Sequence, residues 1–208
     1  MIPIHREALN PIKDKFDFVQ ELPNGFLGPT FVVKNIISKE MLVCKICHKA
    51  FLGKEEFINN FRKRIKYLLQ LSLPFIVSYT DIIEDENDFF LFRPYIHFLS
   101  LTEYINTAPN SSLNIRPIFQ NIISAVREVH KRKIYRIPIH PTNIFLTSNN
   151  SVILTDLYEL NSDVSWALIT PNPIHLAFLA PEFFDGKSTP SDSSDIWSLG
   201  VVLSFMRS

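Results

Sequence analysis

The spacing of the apolar residues changes near Tyr95, and this change restricts the chain to a fold with a sheet in one part and helices in the other. Before Tyr95, short runs rich in β-branched and aromatic residues lie between turn residues, which predicts strands. One helical pattern interrupts them between Glu55 and Leu71. We therefore expect a small antiparallel sheet with one helix. The expected strands are 16–20, 30–34, 41–46, 76–83 and 89–92.

Beyond Tyr95 the apolar residues take helical spacing. Ser100 and Glu103 have the pattern of a capping box, in which each side chain accepts a hydrogen bond from the other residue's backbone N–H. A long apolar stripe of helical period follows between Ile115 and Val129. The pattern predicts an α+β protein with an N-terminal extension over 1–15, a sheet-containing lobe over 16–95 and a mainly helical lobe over 96–208.

Composition and charge exclude several classes of protein. The chain has 208 residues, 46% of them hydrophobic and 20% charged, which is typical of a globular protein. Lys and Arg together number 21, as do Asp and Glu, so the formal net charge of +0 favours neither nucleic acid nor an anionic membrane as a partner. No signal peptide or membrane span is recognised, and the expected location is cytoplasmic. The acidic run 84–88 is interpreted as a solvated hairpin tip.

Cys44, Cys47 and His48 form a C-x-x-C-H pattern, which formally matches a haem attachment site or half of a zinc site. The surrounding residues have the composition of a strand, in which a spacing of three directs the two sulfur atoms to opposite faces. We therefore expect two reduced structural thiols. A metal or haem protein that uses these three residues is kept as a remote alternative.

Several short motifs follow one another in the order and spacing of the eukaryotic protein kinase family, and the chain resembles that family over residues 16 to 208. The segment from Ser194 to Val202 is similar to the family's buried helix, whose aspartate, here Asp195, holds the backbone of the catalytic loop. Ala180-Pro181-Glu182 matches the motif that precedes this helix, and Glu182 is the glutamate that pairs with an arginine in the family. The resemblance implies a two-lobed protein kinase-like fold.

The resemblance also implies a site for ATP in the first lobe. Gly25 and Gly28 match two glycines of the phosphate-binding loop, and Lys45 matches the lysine that contacts the phosphates. Pro29 removes one backbone N–H from this loop. The remaining nucleotide-binding candidates are Val43, Arg93 and Tyr95, of which Val43 and Arg93 crowd the expected adenine position.

Asn143 and Asp156 match the two residues that bind Mg²⁺ in the family, and their oxygen atoms suit a hard cation. Asp156 is followed by Leu157 and Tyr158 where the family has phenylalanine and glycine. The change to Tyr158 removes the conformational freedom of the glycine. Without nucleotide, we expect Lys45 to pair with Asp156.

The residues that carry out phosphoryl transfer depart from the family's pattern. With Pro141 and Asn143 setting the alignment, Pro138 takes the position of the catalytic aspartate and His140 that of the neighbouring lysine. If one residue is inserted, Ile137 takes the aspartate position instead, and the carboxylate is missing either way. No confident catalytic residue remains, and His140 is a weak candidate base.

Three further departures concern the helix, the activation segment and the chain end. Arg64 stands where the family has the glutamate that pairs with the lysine, and His175 stands at a substrate-docking threonine. Ser162, Ser165 and Thr170 are possible phosphorylation sites, but we do not expect any single one of them to be phosphorylated. The family continues with more helices after the position of Ser208, so the second lobe is expected to be incomplete.

The motifs and their departures lead to two main hypotheses. The first is a catalytically impaired kinase-like domain, a pseudokinase, with residual binding of ATP and Mg²⁺, which acts as a signalling scaffold or regulator through an unknown protein partner. The alternative is an active serine/threonine protein kinase that transfers a phosphoryl group from ATP to protein hydroxyls with atypical catalytic residues.

Overall fold

The computed structural model describes residues 6–107, 114–149, 151–158, 173–184 and 191–207. The strands are β1 (Phe16–Gly25), β2 (Gly28–Asn35), β3 (Met41–His48), β4 (Ile76–Val77), β5 (Asp81–Glu84), β6 (Asp88–Pro94), β7 (Leu99–Ser100), β8 (Ile144–Leu146) and β9 (Val152–Thr155). The helices are α1 (Lys49–Leu52), α2 (Glu55–Leu69), α3 (Leu101–Thr107), α4 (Ile115–Lys131), α5 (Pro173–Leu176) and α6 (Asp192–Phe205). Short 3₁₀ helices occupy Arg6–Ile12, Pro141–Asn143 and Pro181–Phe183.

The described residues form two compact units. The first contains the described parts of Met1–Leu69, Tyr79–Tyr95 and Ser165–Pro173. The second contains those of Gln70–Ser78, Ile96–Val164 and Ile174–Ser208. Residues 70–78, which precede Tyr95 in the chain, thus group with the second unit.

The first unit is built on an antiparallel five-stranded sheet with the order β1-β2-β3-β6-β5, and α1 and α2 belong to the same unit. Residues two apart in a strand share a face, so β2, β3 and β6 each contribute alternate apolar residues to one core. The 3₁₀ helix Arg6–Ile12 adds to this core, and Ile12 is only 1% exposed. The cluster consists of Leu9, Ile12, Phe16, Phe31, Val33, Cys44, Ile46, Phe90 and Phe92.

The apolar run 76–83 does not form the single strand that its composition predicts. β4 pairs in parallel with β9 of the second unit, whereas β5 pairs with β6 of the first. Between them, the Ser78 hydroxyl donates to the Leu71 carbonyl at 2.7 Å, and the Thr80 N–H donates to the Phe92 carbonyl at 2.8 Å. The prediction was wrong because an apolar run shows that residues are buried but does not identify the sheet that buries them.

The second unit contains a four-stranded sheet with the order β4-β9-β8-β7, together with α3, α4, α5 and α6. The predicted capping box begins α3: the Ser100 N–H donates to Glu103 Oε2 at 2.7 Å, and the Glu103 N–H donates to Ser100 Oγ at 3.3 Å. The buried side of α4 has helical spacing and consists of Ile118, Ile122, Ala125, Val126 and Val129. The predicted α+β fold class is confirmed.

Among the described residues, every helix is too short or too polar to cross a lipid bilayer.

Candidate functional site

The turn between β1 and β2 lies beside Lys45 of β3. Thr30 of β2 is the direct cross-strand partner of Lys45, and the Lys45 side chain is 4% exposed. A Cβ atom at position 25 would lie 3.0 Å from Lys45 Nζ. Glycine at position 25 therefore leaves the space that the ammonium group occupies.

Gly28 is required for a different reason. Its φ of +134° is a conformation that residues with a side chain rarely adopt, and a Cβ atom there would lie 2.8 Å from the carbonyl oxygen of Ile46. This contact involves backbone on the neighbouring strand, which cannot rotate away. Gly28 thus allows the close approach of the turn to β3.

Val43 and Lys45 are two residues apart in β3 and therefore share a face of the sheet. Arg93 of β6 is the cross-strand partner of Val43, so it lies on the same face. The Arg93 side chain is 5% exposed, and its Nη1 donates to the Pro94 carbonyl at 3.2 Å. The Tyr95 N–H donates to the Met41 carbonyl at 3.1 Å and continues the pairing beyond β6. The nucleotide-binding candidates of the first unit are thus grouped around β3.

An ion-pair network that the sequence analysis did not predict joins α2 to β5. Arg62 Nε and Nη2 donate to the two Glu84 oxygens at 2.9 and 2.6 Å, and Lys49 Nζ lies 2.8 Å from Glu84 Oε1. The hydrogen bond from Arg62 is the main reason that the pKa of Glu84 falls to about 2. Asp88 is also engaged, since its carboxylate contacts His48 Nδ1. The run 84–88 does form the predicted hairpin tip between β5 and β6, and Glu86 and Asn87 are exposed, but the side chains of Glu84 and Asp88 also contact neighbouring elements.

Arg64 lies two residues beyond Arg62 on α2 and is partly buried. Its guanidinium group lies 5.8 Å from the centre of the Tyr67 ring, a cation–π distance. Burial lowers the pKa of Arg64. Arg64, which the sequence analysis predicts at the position of the family's glutamate, thus contacts Tyr67 of its own helix.

Asp195 of α6 holds the backbone of the loop before Pro138 in the second unit. Its Oδ2 accepts from the Arg136 N–H at 2.9 Å, and its Oδ1 accepts from the Ile137 N–H at 3.0 Å. His130 Nε2 lies 2.9 Å from Oδ2. Burial raises the pKa of Asp195, while these hydrogen bonds act in the opposite direction. Arg136 has a φ of +56°, so the carboxylate holds the loop where its backbone is strained.

Asn143 holds the same loop from its other end. Asn143 Nδ2 donates to the Pro138 carbonyl at 3.0 Å, and both residues are buried. Two residues whose N–H groups donate to Asp195 thus precede Pro138, and the Asn143 amide donates to the carbonyl of Pro138 itself. The chain has no acidic residue between Glu128 and Asp156, so this loop contains no carboxylate.

His140 is buried, and its hydrogen bonds favour one tautomer. The Thr142 N–H donates to His140 Nδ1 at 3.2 Å, which requires a lone pair on Nδ1 and so assigns the proton of the neutral ring to Nε2. The ring centre lies 4.4 Å from those of His175 and Phe178. A ring with Nδ1 occupied and a proton on Nε2 is a poor general base.

Asp156 follows directly after β9 with a φ of +63° and is 1% exposed. The Thr155 hydroxyl lies 3.1 Å from Asp156 Oδ2 and 3.4 Å from the Asn143 carbonyl oxygen, and it can donate to either. Tyr158 is fully buried. The described residues contain no cluster of three or more His, Cys, Asp or Glu side chains that could hold a metal ion. Asn143 and Asp156 fit Mg²⁺ as oxygen donors, but such a site needs further oxygens from a phosphate ligand or water.

Glu182 follows Pro181 in a 3₁₀ helix and accepts a hydrogen bond from Ser194 Oγ at 2.5 Å. The same Ser194 Oγ accepts from the Ser191 N–H at 3.0 Å in the capping box of α6. Glu182 thus connects the Ala-Pro-Glu segment to the start of the buried helix. The sequence analysis did not predict the role of Ser194.

The cysteine pattern does not have the properties of a metal or haem site. Cys44 and Cys47 are both buried and unbridged, and burial strongly raises the pKa of each thiol. The thiolate is the form that binds metals, so this environment opposes ligation.

Ser162, Ser165 and Thr170 lie outside the described residues. The expected pairing of Lys45 with Asp156 involves different units and stays a prediction.

Comparison with known proteins gives a consistent result. A family model described as protein kinase domain matches residues 16–208. The serine/threonine-protein kinase PrkC of Bacillus subtilis is 26% identical over 198 residues, which cover 92% of this chain and 30% of the relative. The carbon catabolite-derepressing protein kinase of Candida glabrata is 25% identical, with 92% and 31% covered. CBL-interacting serine/threonine-protein kinase 18 of Arabidopsis thaliana is 23% identical, with 93% and 38% covered. The chain therefore spans about a third of the length of these curated relatives.

Proposed function

Since the chain belongs to the protein kinase family, we propose that it is a kinase-like domain with impaired phosphoryl transfer. In this proposal it binds ATP and Mg²⁺ weakly and acts in signalling through a protein partner. The proposed lobes are 16–95 and 96–208, with 1–15 as an extension. Protein kinases generally use ATP and Mg²⁺, and this domain would retain part of that binding without efficient chemistry.

The observation that carries the proposal is the buried Pro138 in a loop held at both ends. Asp195 accepts hydrogen bonds from the two residues before Pro138, and Asn143 donates to Pro138 itself. These contacts support the alignment in which Pro138 replaces the catalytic aspartate. A positioned general base accelerates proton transfer by typically ~10²–10⁴-fold, so its loss predicts slow turnover.

Residual nucleotide binding is proposed from the first unit. Gly25 and Gly28 keep the turn close to β3, and Lys45 supplies a cation for the phosphates. Pro29, Val43 and Arg93 weaken this site, because Pro29 lacks a backbone N–H and the other two side chains crowd the adenine position. We expect an affinity for ATP below that of active kinases.

Mg²⁺ would be held by Asn143 and Asp156 together with phosphate oxygens, and when bound it would neutralise charge on the phosphates. Glu182 and Asp195 have structural roles in this proposal, since their hydrogen bonds go to Ser194 and to loop backbone.

An active serine/threonine kinase with atypical catalytic groups is the alternative, supported by the names of the relatives. His140 would be its base. The hydrogen bond from the Thr142 N–H to His140 Nδ1 weighs against that role. A relative named for its interaction with CBL gives a precedent for a protein partner, but nothing identifies the partner of this domain. A cytoplasmic location is part of the proposal.

The test is a titration with a fluorescent ATP analogue, with and without Mg²⁺, on the wild type and on Lys45→Ala and Asp156→Ala. The proposal expects weak binding that Mg²⁺ strengthens and that both substitutions reduce, with little transfer of phosphate to a generic protein substrate. Efficient transfer that His140→Ala abolishes would favour the active-kinase alternative. If the folded wild type does not bind the analogue, the nucleotide part of the proposal is wrong.

A further inference from the structure

Thr155 connects the two proposed metal-binding residues. It is the last residue of β9, it is 2% exposed, and its hydroxyl lies 3.1 Å from Asp156 Oδ2 and 3.4 Å from the Asn143 carbonyl oxygen. All three residues are buried in the second unit. The contact therefore does not depend on the first unit.

The strand pairing explains why these residues meet. Ile144 of β8 is the cross-strand partner of Leu154 of β9 in an antiparallel pair. One step further along each strand, Asn143 comes opposite Thr155. The sheet thus brings a residue that precedes β8 next to a residue that ends β9, and Asp156 follows immediately.

A hydroxyl has one hydrogen, so Thr155 donates to one acceptor at a time. The shorter contact is to the Asp156 carboxylate, which is also the stronger acceptor if it is charged. This hydrogen bond restricts the rotation of a carboxylate whose backbone is in the left-handed region, at a φ of +63°.

We propose that Thr155 is a positioning residue for the metal site, through a hydrogen bond that orients the Asp156 carboxylate next to Asn143. The inference rests on the proposed function, because it assumes that Asn143 and Asp156 bind a divalent cation with the nucleotide. Residues that hydrogen-bond to metal ligands typically change metal affinity by ~10–100-fold when they are replaced. In this proposal Thr155 hydrogen-bonds to a metal ligand and does not itself bind the ion.

The experiment measures Mn²⁺ binding by electron paramagnetic resonance in the presence of a non-hydrolysable ATP analogue. Mn²⁺ replaces Mg²⁺ because it prefers the same oxygen ligands and is detected directly. Thr155→Val removes the hydroxyl and keeps the β-branched shape, whereas Thr155→Ser keeps the hydroxyl. Thr155→Ala is a second variant without the hydroxyl, for use if the valine variant folds poorly. Binding of the analogue without metal and the melting temperature are measured for each protein.

The proposal expects Thr155→Val and Thr155→Ala to weaken Mn²⁺ binding about tenfold, at the low end of the effect of such residues. Thr155→Ser should stay close to the wild type, and metal-free binding of the analogue should not change. A purely structural role would lower the melting temperature and weaken metal-free binding as well.

Two results would overturn the inference. If the wild type binds Mn²⁺ with the analogue and the hydroxyl-free variants bind it equally well, Thr155 has no positioning role, while the proposed function stands. If the wild type binds the analogue but no Mn²⁺, or binds neither, the metal site itself is wrong, and the inference fails together with the nucleotide and metal part of the proposed function.

Discussion

Arg62 of α2 and Glu84 of β5 form a two-point ion pair, with nitrogen–oxygen distances of 2.9 and 2.6 Å. Lys49 joins the same carboxylate, so one acidic residue connects α1, α2 and the sheet of the first unit. In protein kinases the corresponding helix is coupled to the β3 lysine through a glutamate, a pair that regulation makes and breaks. The sequence analysis predicts Arg64 at the position of that glutamate, and Arg62 connects α2 to β5.

We predict that the Arg62–Glu84 pair stabilises the first unit modestly, because the pair is partly exposed to solvent. Arg62→Ala and Glu84→Gln should each lower the melting temperature, and the double variant should be less destabilised than the sum, since the two residues interact. Thermal unfolding of the four proteins measures this. Lys63→Ala, an exposed neighbour on α2, is the control and should have little effect. Additive effects would mean that the ion pair does not contribute.

The same pair predicts a pH dependence of stability. The pKa of Glu84 lies at about 2 in the folded protein, below its ordinary value of 4.5, so folding favours the charged form. The stabilisation is therefore complete above pH 4.5 and is lost as the pH falls towards 2. The difference in melting temperature between the wild type and Glu84→Gln should shrink over this range. A constant difference between pH 6 and pH 3 would contradict the prediction.

Asp195 should be essential for the stability of the second unit. Asp195→Asn replaces one acceptor oxygen by an NH₂ group, which cannot accept a hydrogen bond. Depending on the side-chain orientation, this NH₂ group faces either the Ile137 N–H or the His130 ring. Leaving a buried backbone donor unpaired predicts a loss of about 1–3 kcal/mol in the free energy of unfolding. Denaturant unfolding measures it. Asp192→Asn, at an exposed position in the first turn of the same helix, should change little.

The two glycines of the β1–β2 turn should respond differently to alanine. Gly28→Ala is expected to destabilise the protein by roughly 1–3 kcal/mol, because its φ is positive and its Cβ would contact the Ile46 carbonyl. Gly25→Ala should mainly displace the Lys45 ammonium and weaken binding of an ATP analogue, with less effect on stability. Denaturant unfolding and an analogue titration on both variants separate the two effects. Equal losses of stability would argue against this division of roles.

Restoring the aspartate tests the impairment directly. Pro138→Asp places a carboxylate where Asn143 and Asp195 hold the loop. If the missing base limits the reaction, phosphoryl transfer should rise by about 10²-fold, the lower end of the contribution of a general base. Pro138→Asn is the matched control, with similar shape and no base. A rise in both variants, or in neither while both are folded and bind nucleotide, would show that the missing base does not limit the reaction.

The N-terminal segment should be part of the folded first unit. Ile12 is buried in the same cluster as Phe16 and Phe92, whose rings stack at 4.4 Å. Ile12→Ala removes buried methylene and methyl groups and is expected to cost about 2–4 kcal/mol in the free energy of unfolding. Lys13→Ala, at the exposed next position, is the control. An unchanged stability of Ile12→Ala would mean that the segment does not stabilise the sheet.

The sequence by itself determined the features that depend on local spacing. The capping box of Ser100 and Glu103 was predictable, because both partners lie within one helical turn. The buried side of α4 was predictable from its period, although Ile123 of the same stripe is 43% exposed. The absence of a carboxylate from the loop around Pro138 was also readable from the sequence, since no alignment supplies an acidic residue between Glu128 and Asp156.

Only the tertiary structure decided which distant surfaces meet. Arg62 and Glu84 are 22 residues apart, and neither position stood out among the other charged residues. The split of 76–83 between two sheets and the hydrogen bond of Thr155 depend on strand pairing in the same way. The spacing of apolar residues indicates which residues of a helix or strand are buried, but it does not indicate which other element packs against them. That identity follows from packing and register across the whole chain.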